Sequence, residues 1–304
     1  MNLALRIDVD TYDGSLIGVK NLLSMLNKYE IKAAFFFSLG PDNMGKNIFR
    51  LFKPAFFNKV LRTNATSIYN PKTIIKGLLS KGPIIYKDSK NNIKEAENSG
   101  HEIGLHAWDH QLWQANAEKW TEEESLIQLK KAYYILSDII ERPTDASAAP
   151  GWKITDNILK SKENLNFKYN SDCRGEGAFY PIIEGKSLST PQIPQNLPTF
   201  DEVIGTNSIN KSNYNEFLLS LIENGKQNLL TIHSEIEGMH CIDLFENFLK
   251  MAKEKNINFV LPSYYLNEKI KTSEIETGKV SGREGFIGLK KEKELRSTDC
   301  NRNT

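Results

Sequence analysis

Apolar and polar positions follow two rhythms along this chain. Leu3 to Val9 is a short, mostly apolar run, as in a buried strand, whereas Val19 to Tyr29 sets Leu22, Leu23 and Leu26 at helical spacing. Ile31 to Leu39 returns to strand. The order repeats as a helix about Ile93 to Ser99, a strand His101 to Leu105, a helix Thr121 to Ile140 and a strand near Asp145 to Ala149. The C-terminal half continues with a helix Asn213 to Glu223, a strand Asn228 to His233, a helix Ile242 to Lys255 and a strand Ile257 to Leu261. Strands alternating with helices predict an α/β fold on a parallel sheet. At this length the pattern favours a distorted (β/α) barrel over an open sheet, closing at the last of these strands.

Two segments break the alternation, and no internal repeat is present. Gly45 to Tyr86 is far longer than a barrel loop requires and reads as an insertion. Lys271 to Thr304 is rich in Lys, Glu, Ser, Thr and Gly and is expected to lack a stable fold, leaving residues 1–270 as the barrel domain.

Composition narrows the class. Among the 304 residues, 39% hydrophobic and 25% charged describe a globular chain with a real core. Thirty-nine Lys and Arg against 38 Asp and Glu give no global attraction for nucleic acid. No apolar stretch approaches the roughly 20 residues of a membrane span. Arg6, Asp8 and Asp10 interrupt what would be the apolar region of a signal peptide, so a cytoplasmic protein is expected. Cys173, Cys241 and Cys300 are too few and scattered for a disulfide framework or a thiolate zinc site.

Three places carry candidate chemistry. Asp8 and Asp10, two apart at a strand end, point to one face, where one carboxylate could bind a metal while the other takes a proton. Taken alone, a solvated strand end or a helix cap is the more ordinary reading of such a pair. His106 and His110 stand four apart after a strand, which would put both imidazoles on one side of a helical turn, as chelation requires. With Asp10 they would make a carboxylate and two imidazoles with positions left for water, the pattern of a catalytic metal. His233 ends its strand and would point to the same barrel rim, as a proton donor to a leaving nitrogen or as a hydrogen-bonded core residue. His101 reads as structural, and His240 carries no assignment.

Asp8 and Asp10, His106-Ala-Trp-Asp-His110, Ala149-Pro150-Gly151-Trp152, Asp172 and Leu230-Thr231-Ile232-His233 occur in the order of the polysaccharide deacetylases, metal-dependent amide and ester hydrolases of NodB type. The resemblance spans roughly residues 3–265. RIDVDTYDG, FFFSLGPDNMG, GHEIGLHAWDH, YNSDCRG and TPQIPQNLPTFDE are similar to the branch that deformylates a formamido-arabinose carried on undecaprenyl phosphate, in the route to aminoarabinose-modified lipid A and cationic peptide resistance.

The resemblance implies a barrel of about seven strands. It implies a divalent ion (Zn, Mn, Co or Fe) on Asp10, His106 and His110, with Asp8 as general base and His233 as general acid. Two departures stand out. Many relatives have adjacent aspartates where this chain reads Asp8-Val9-Asp10, and many have an arginine before the Pro-x-Gly loop where it reads Ser147-Ala148-Ala149. Asp172 and Arg174 are the candidates for substrate contact and for orienting the base.

A lipid-linked sugar as substrate further implies a peripheral site on the inner face of the inner membrane. The insertion carries eight basic residues and no Asp or Glu. Among them Arg50, Lys53, Lys59 and Arg62 alternate with phenylalanines and aliphatics, suited to an anionic membrane surface and lipid phosphate. A helical hairpin packed on the barrel is the alternative. An N-acetyl polysaccharide deacetylase and a noncatalytic lipid- or sugar-binding module are the competing functions.

Overall fold

The computed structural model describes residues 1–43, 82–267, 269–280, 283 and 285–292. Seven parallel strands form one curled sheet: β1 (Asn2–Val9), β2 (Ala34–Ser38), β3 (Glu102–Ala107), β4 (Ala146–Ser147), β5 (Tyr169–Asn170), β8 (Leu229–His233) and a short β9 (Asn258–Val260). The spatial order of the first six is β5-β4-β3-β2-β1-β8, and β9 pairs with the start of β1. Along β1, Leu3, Leu5, Ile7 and Val9 join the main core, together with Val19, Leu22 and Leu26 of α1 (Val19–Lys28). This alternation puts Ala4 on the other face, in a small inner core with Ala34, Phe36, Ala146, Tyr169 and Leu229. Space there is tight: a Cβ on Gly104 would stand 2.4 Å from the Phe36 ring, so glycine is what admits the phenyl group.

The outer layer is α1, α2 (Ile85–Asn98), α3 (His110–Asn116), α4 (Glu122–Ile140), α5 (Asp156–Glu163), α6 (Phe200–Val203), α7 (Tyr214–Ser220) and α8 (Ile242–Glu254). A capping box fixes the start of α4, with Thr121 and Glu124 satisfying each other's backbone N–H. Helix α2 begins at Ile85, so the last two positions of the expected insertion belong to it. Residues 44–81, including Arg50, Lys53, Lys59 and Arg62, lie outside the described residues.

The barrel does not close at β9, as the sequence pattern led us to expect. It is a curled half-barrel, and the gap between β5 and β8 is spanned by the irregular segment Pro191 to Leu197. Ile193 N–H donates to the Asn170 carbonyl at 2.7 Å, and Leu197 N–H to that of Leu229 at 3.3 Å. Pro191 and Pro194 remove backbone donors from this run, and side-chain amides replace them. Gln192 exchanges two hydrogen bonds with Asp172, Asn196 accepts from Leu229 N–H at 2.8 Å, and Gln195 accepts from the Thr231 hydroxyl.

The described part of the tail carries strands where the sequence led us to expect no stable fold, and 293–304 lie outside the described residues. β10 (Lys271–Ser273) pairs with β6 (Phe179–Ile183), which turns into β7 (Lys186–Ser187). β11 (Ile275–Gly278) and β12 (Ile287–Lys290) form a hairpin, and Arg174 N–H donates to the Gly288 carbonyl while Lys290 N–H donates to that of Arg174. Low apolar content misled the sequence reading because one fully buried side chain, Ile287, and backbone bonds hold this segment. Ile287→Ala is expected to cost about 2–4 kcal/mol, seen as a clear fall in melting temperature. An unchanged melt would mean that the hairpin is not docked.

Candidate active site

Arg6 and Asp8 follow the inner face of β1 upward from the apolar floor. Asp8 is 3% exposed, and the Arg6 guanidinium grips it by two parallel bonds, Nε to Oδ1 and Nη2 to Oδ2, each 2.7 Å. Arg6 also donates to the Ser171 carbonyl and lies 5.4 Å from the Phe36 ring centre and 5.2 Å from that of Trp152. Burial pushes the Asp8 carboxyl up, but Arg6 and His106 outweigh it and hold it below the ordinary carboxylate range.

Asp10 follows just after the strand, where the chain is pinned from the opposite side. One oxygen of Glu235 accepts from Asp10 N–H at 3.0 Å, from Thr11 N–H at 2.8 Å and from the Thr11 hydroxyl at 2.9 Å. His106 sits near the end of β3 and His110 opens α3, so their spacing spans strand, loop and helix start and not the single helical turn expected. Asp109, between them, caps α3 by accepting from Leu112 N–H and is itself held by Asn43. The rings meet at 5.3 Å between centres.

Tautomer follows from partner. His106 Nδ1 lies 2.9 Å from the Ala148 carbonyl, which can only accept, so Nδ1 carries the proton and Nε2 presents a lone pair. That lone pair faces Asp10 Oδ1 at 3.3 Å, and His110 Nε2 faces Asp10 Oδ2 at the same distance. Burial foremost pushes His110 down to about 4, leaving its imidazole neutral at neutral pH. Asp10 Oδ1 is buried without a hydrogen-bond partner among the described residues.

With both Nε2 atoms unprotonated, a cation between them and the Asp10 carboxylate would satisfy all three groups. The ligand atoms of Asp10, His106 and His110 all lie within 4.8 Å of one another. Donors bound at about 2.1 Å to one divalent ion stand roughly 3 to 3.5 Å apart, and both histidine–Asp10 distances of 3.3 Å match that.

His233 is the register neighbour of Asp8 across the β1–β8 pair, so the two side chains rise side by side. Its backbone N–H donates to Glu237 at 2.8 Å. Burial opposes its positive form, yet Asp10, Asp201, Asp8 and Glu237 together raise its pKa. Burial, joined for Glu235 by the nearby Asp10 charge, pushes Glu235 and Glu237 up to about 7.

Thus Asp8, Asp10, His106, His110 and His233 share one rim, at the carboxyl ends of β1, β3 and β8. Neither Asp172 nor Arg174 is the residue that orients Asp8. Asp172 is buried against Lys162 at 2.5 Å, and Arg174 pairs with Glu202 at 2.6 Å. Arg6 holds Asp8 instead. Its signal was present in the sequence, since a cation two residues before Asp8 in an apolar strand must share its face. Glu235 and Glu237 offered no such signal, because they lie on a turn and a π-helical stretch (Ile236–His240) without strand or α periodicity. His101 is structural as expected: its Nδ1 accepts from Ala33 N–H.

Residues 11–170 match the polysaccharide deacetylase family, and the chain belongs to it. Its likeness to individual proteins is more specific. A Shewanella sediminis (strain HAW-EB3) protein named "Probable 4-deoxy-4-formamido-L-arabinose-phosphoundecaprenol deformylase ArnD" is 44% identical over 94% of this chain and 93% of its own. A Wigglesworthia glossinidia brevipalpis protein of the same name is 40% identical over 90% of this chain and 97% of its own. Among solved structures, a Mycobacterium smegmatis protein described as a polysaccharide deacetylase shares the fold with a TM-score of 0.61 at 14% identity, covering 92% of this chain and 94% of that one.

The Arg6–Asp8 pair can be tested by stability alone. Arg6→Met should cost about 3–5 kcal/mol, because it strands a buried carboxylate. Adding Asp8→Asn should recover part of that loss. A double variant no more stable than Arg6→Met, by urea unfolding, would deny the coupling.

Proposed function

We propose that this protein removes the N-formyl group from 4-deoxy-4-formamido-L-arabinose linked through phosphate to undecaprenol, releasing formate and the free amine. The observation that carries the chemistry is the convergence of Asp10, His106 and His110 beside an arginine-held Asp8 and the neighbouring His233. The substrate rests on the activity named for relatives at 40–44% identity over most of the chain.

Amide hydrolysis needs a better electrophile, an activated water and a protonated leaving group. A divalent ion bound by Asp10, His106 and His110 would supply Lewis acidity beside the carbonyl and acidify water. Asp8, kept ionised and aimed by Arg6, takes the proton of the attacking water. His233 gives a proton to the departing nitrogen, each transfer contributing about 10²- to 10⁴-fold in rate. His106 is fixed by the Ala148 carbonyl, and Glu235 fixes the backbone that carries Asp10.

Formate release from the lipid-linked sugar, with metal content measured in parallel, tests the reading. Asp10→Ala, His106→Ala and His110→Ala should lose metal and activity together. Asp8→Asn and His233→Ala should keep the metal while turnover falls by about 10²-fold or more. Acetate released from an acetylated polymer in place of formate would overturn the substrate, and full activity without Asp10 would overturn the site.

The protein works at the membrane surface in this reading, because the lipid substrate does not leave the bilayer. No helix among the described residues is long and apolar enough to cross a membrane. The basic, phenylalanine-rich sequence of residues 45–86 would meet anionic lipid at up to about 1 kcal/mol per cation. Changing Arg50, Lys53, Lys59 and Arg62 to Gln should weaken binding to phosphatidylglycerol-containing vesicles and raise KM for the lipid substrate. Unchanged vesicle binding would remove the segment from this role.

A further inference from the structure

Trp152 lies beside the active site in an unusual setting. Its backbone is left-handed at φ 54°, directly after Gly151 at φ 60°, which a bulky side chain adopts only when its surroundings enforce it. The indole is 1% exposed, and its N–H is buried with no acceptor among the described residues. Three guanidinium groups stand around the ring, Arg283 at 4.1 Å and Arg6 and Arg174 each at 5.2 Å from its centre.

These three cations are not equally engaged. Arg6 is committed to Asp8 and Ser171, and Arg174 to Glu202 and to the carbonyls of Gln195 and Leu197. Arg283 donates through Nε to Glu202 at 2.6 Å, but its Nη2 is 3.9 Å from Asp201, too far for a hydrogen bond. Its side chain remains 12% exposed. Burial works against its charge, and Asp201, Glu202 and, more weakly, Asp8 more than offset that. Of the guanidinium groups at the ring, Arg6 holds the proposed base, while the outer nitrogens of Arg283 have no hydrogen-bond partner among the described residues.

We propose that the Trp152 indole N–H and the Arg283 guanidinium form an anion subsite that binds the phosphodiester of the lipid-linked sugar. The inference rests on the deformylase reading and deepens it. The phosphodiester is that substrate's one anionic group, and it leaves the sugar ring on the side away from the formamide. A guanidinium edge and an indole donor suit this arrangement, since charge-assisted bonds to phosphate are strong and directional, and Arg283 is near enough to Asp8 to feel its charge. Arg283 arrives on the C-terminal segment, which β12 fixes to Arg174, so the tail would supply a specificity residue to a site otherwise built from the barrel.

Two substrates separate this from a general role in folding or chemistry: a short-prenyl phosphodiester of the formamido sugar, and its methyl glycoside, which lacks phosphate. Arg283→Gln should lower the ratio of their kcat/KM values by about tenfold or more, chiefly through KM, as expected for losing a charged hydrogen bond. Arg283→Lys, which keeps the charge, should fall between, and Trp152→Phe should lower the same ratio several-fold. Binding of the amine product in its phosphodiester form, measured by calorimetry, should weaken in parallel for Arg283→Gln. Equal losses on both substrates, or unaltered product binding, would overturn the subsite. Absence of formate from either substrate with the unaltered protein would instead overturn the deformylase reading, and the calorimetry would still decide the subsite.

Discussion

The buried pairing of Arg6 with Asp8 is the constraint around which the rest of the barrel is arranged. Neither ion could stand alone at that depth, because an unpaired buried charge costs several kcal/mol. The pair need not stabilise the fold relative to an apolar substitute. What it provides is direction: two parallel bonds fix both oxygens of Asp8, and the Ser171 carbonyl, Phe36 and Trp152 fix Arg6 in turn. Below Arg6 the interior is apolar and filled by alanines and Phe36. Above Asp8 it is polar and reactive. The arginine is the boundary between the two layers.

An unclosed barrel makes a second demand. With β5 and β8 unpaired, the flank of the site beside Asp172 and His233 would be open to water, and the proline-rich strip from Pro191 to Leu197 covers it. Prolines prevent that strip from becoming an ordinary strand, so its register depends on glutamine and asparagine side chains reaching particular backbone groups. Gln192 also ties the strip to Asp172, whose carboxylate is balanced by Lys162. Asp172 is thus a keystone of the closing strip, which accounts for its place in a run of motif residues without any contact to the proposed base.

How much of this could be read in the sequence depended on whether a side chain's neighbours were local. β1, α1, β8 and α8 were legible because their periodicity is fixed by the faces they bury, and all four lie within a residue or so of the expected bounds. The residues of the rim were legible by type, but the geometry of the histidine pair was not, because four positions can span a strand end and a helix start as readily as one helical turn. Arg6 obeys the alternation that linked Asp8 to Asp10, yet a charged residue in a strand is easily taken as an interruption and not as a partner. The hairpin of β11 and β12 was beyond reach, since its hold comes from a single buried side chain, Ile287, and from main-chain bonds to Arg174 that no composition records.

The anchoring of the rim is asymmetric, and the asymmetry has a physical reading. Arg6, the Ala148 carbonyl, Glu235 and Glu237 each hold one element of the rim from outside: the Asp8 carboxylate, the His106 ring, and the backbones of Asp10 and His233. Among the described residues no such anchor reaches three further atoms of these side chains. Asp10 Oδ1, His110 Nδ1 and His233 Nδ1 are buried without hydrogen-bond partners among the described residues. Leaving several such atoms unsatisfied in one small volume is costly for a purely structural core, where nearly all buried polar groups are paired. It is the expected state of a site whose remaining partners are a cation and a substrate. The fold therefore fixes Asp8, the His106 ring and the backbone of the rim, and leaves Asp10 Oδ1 to be satisfied by what binds.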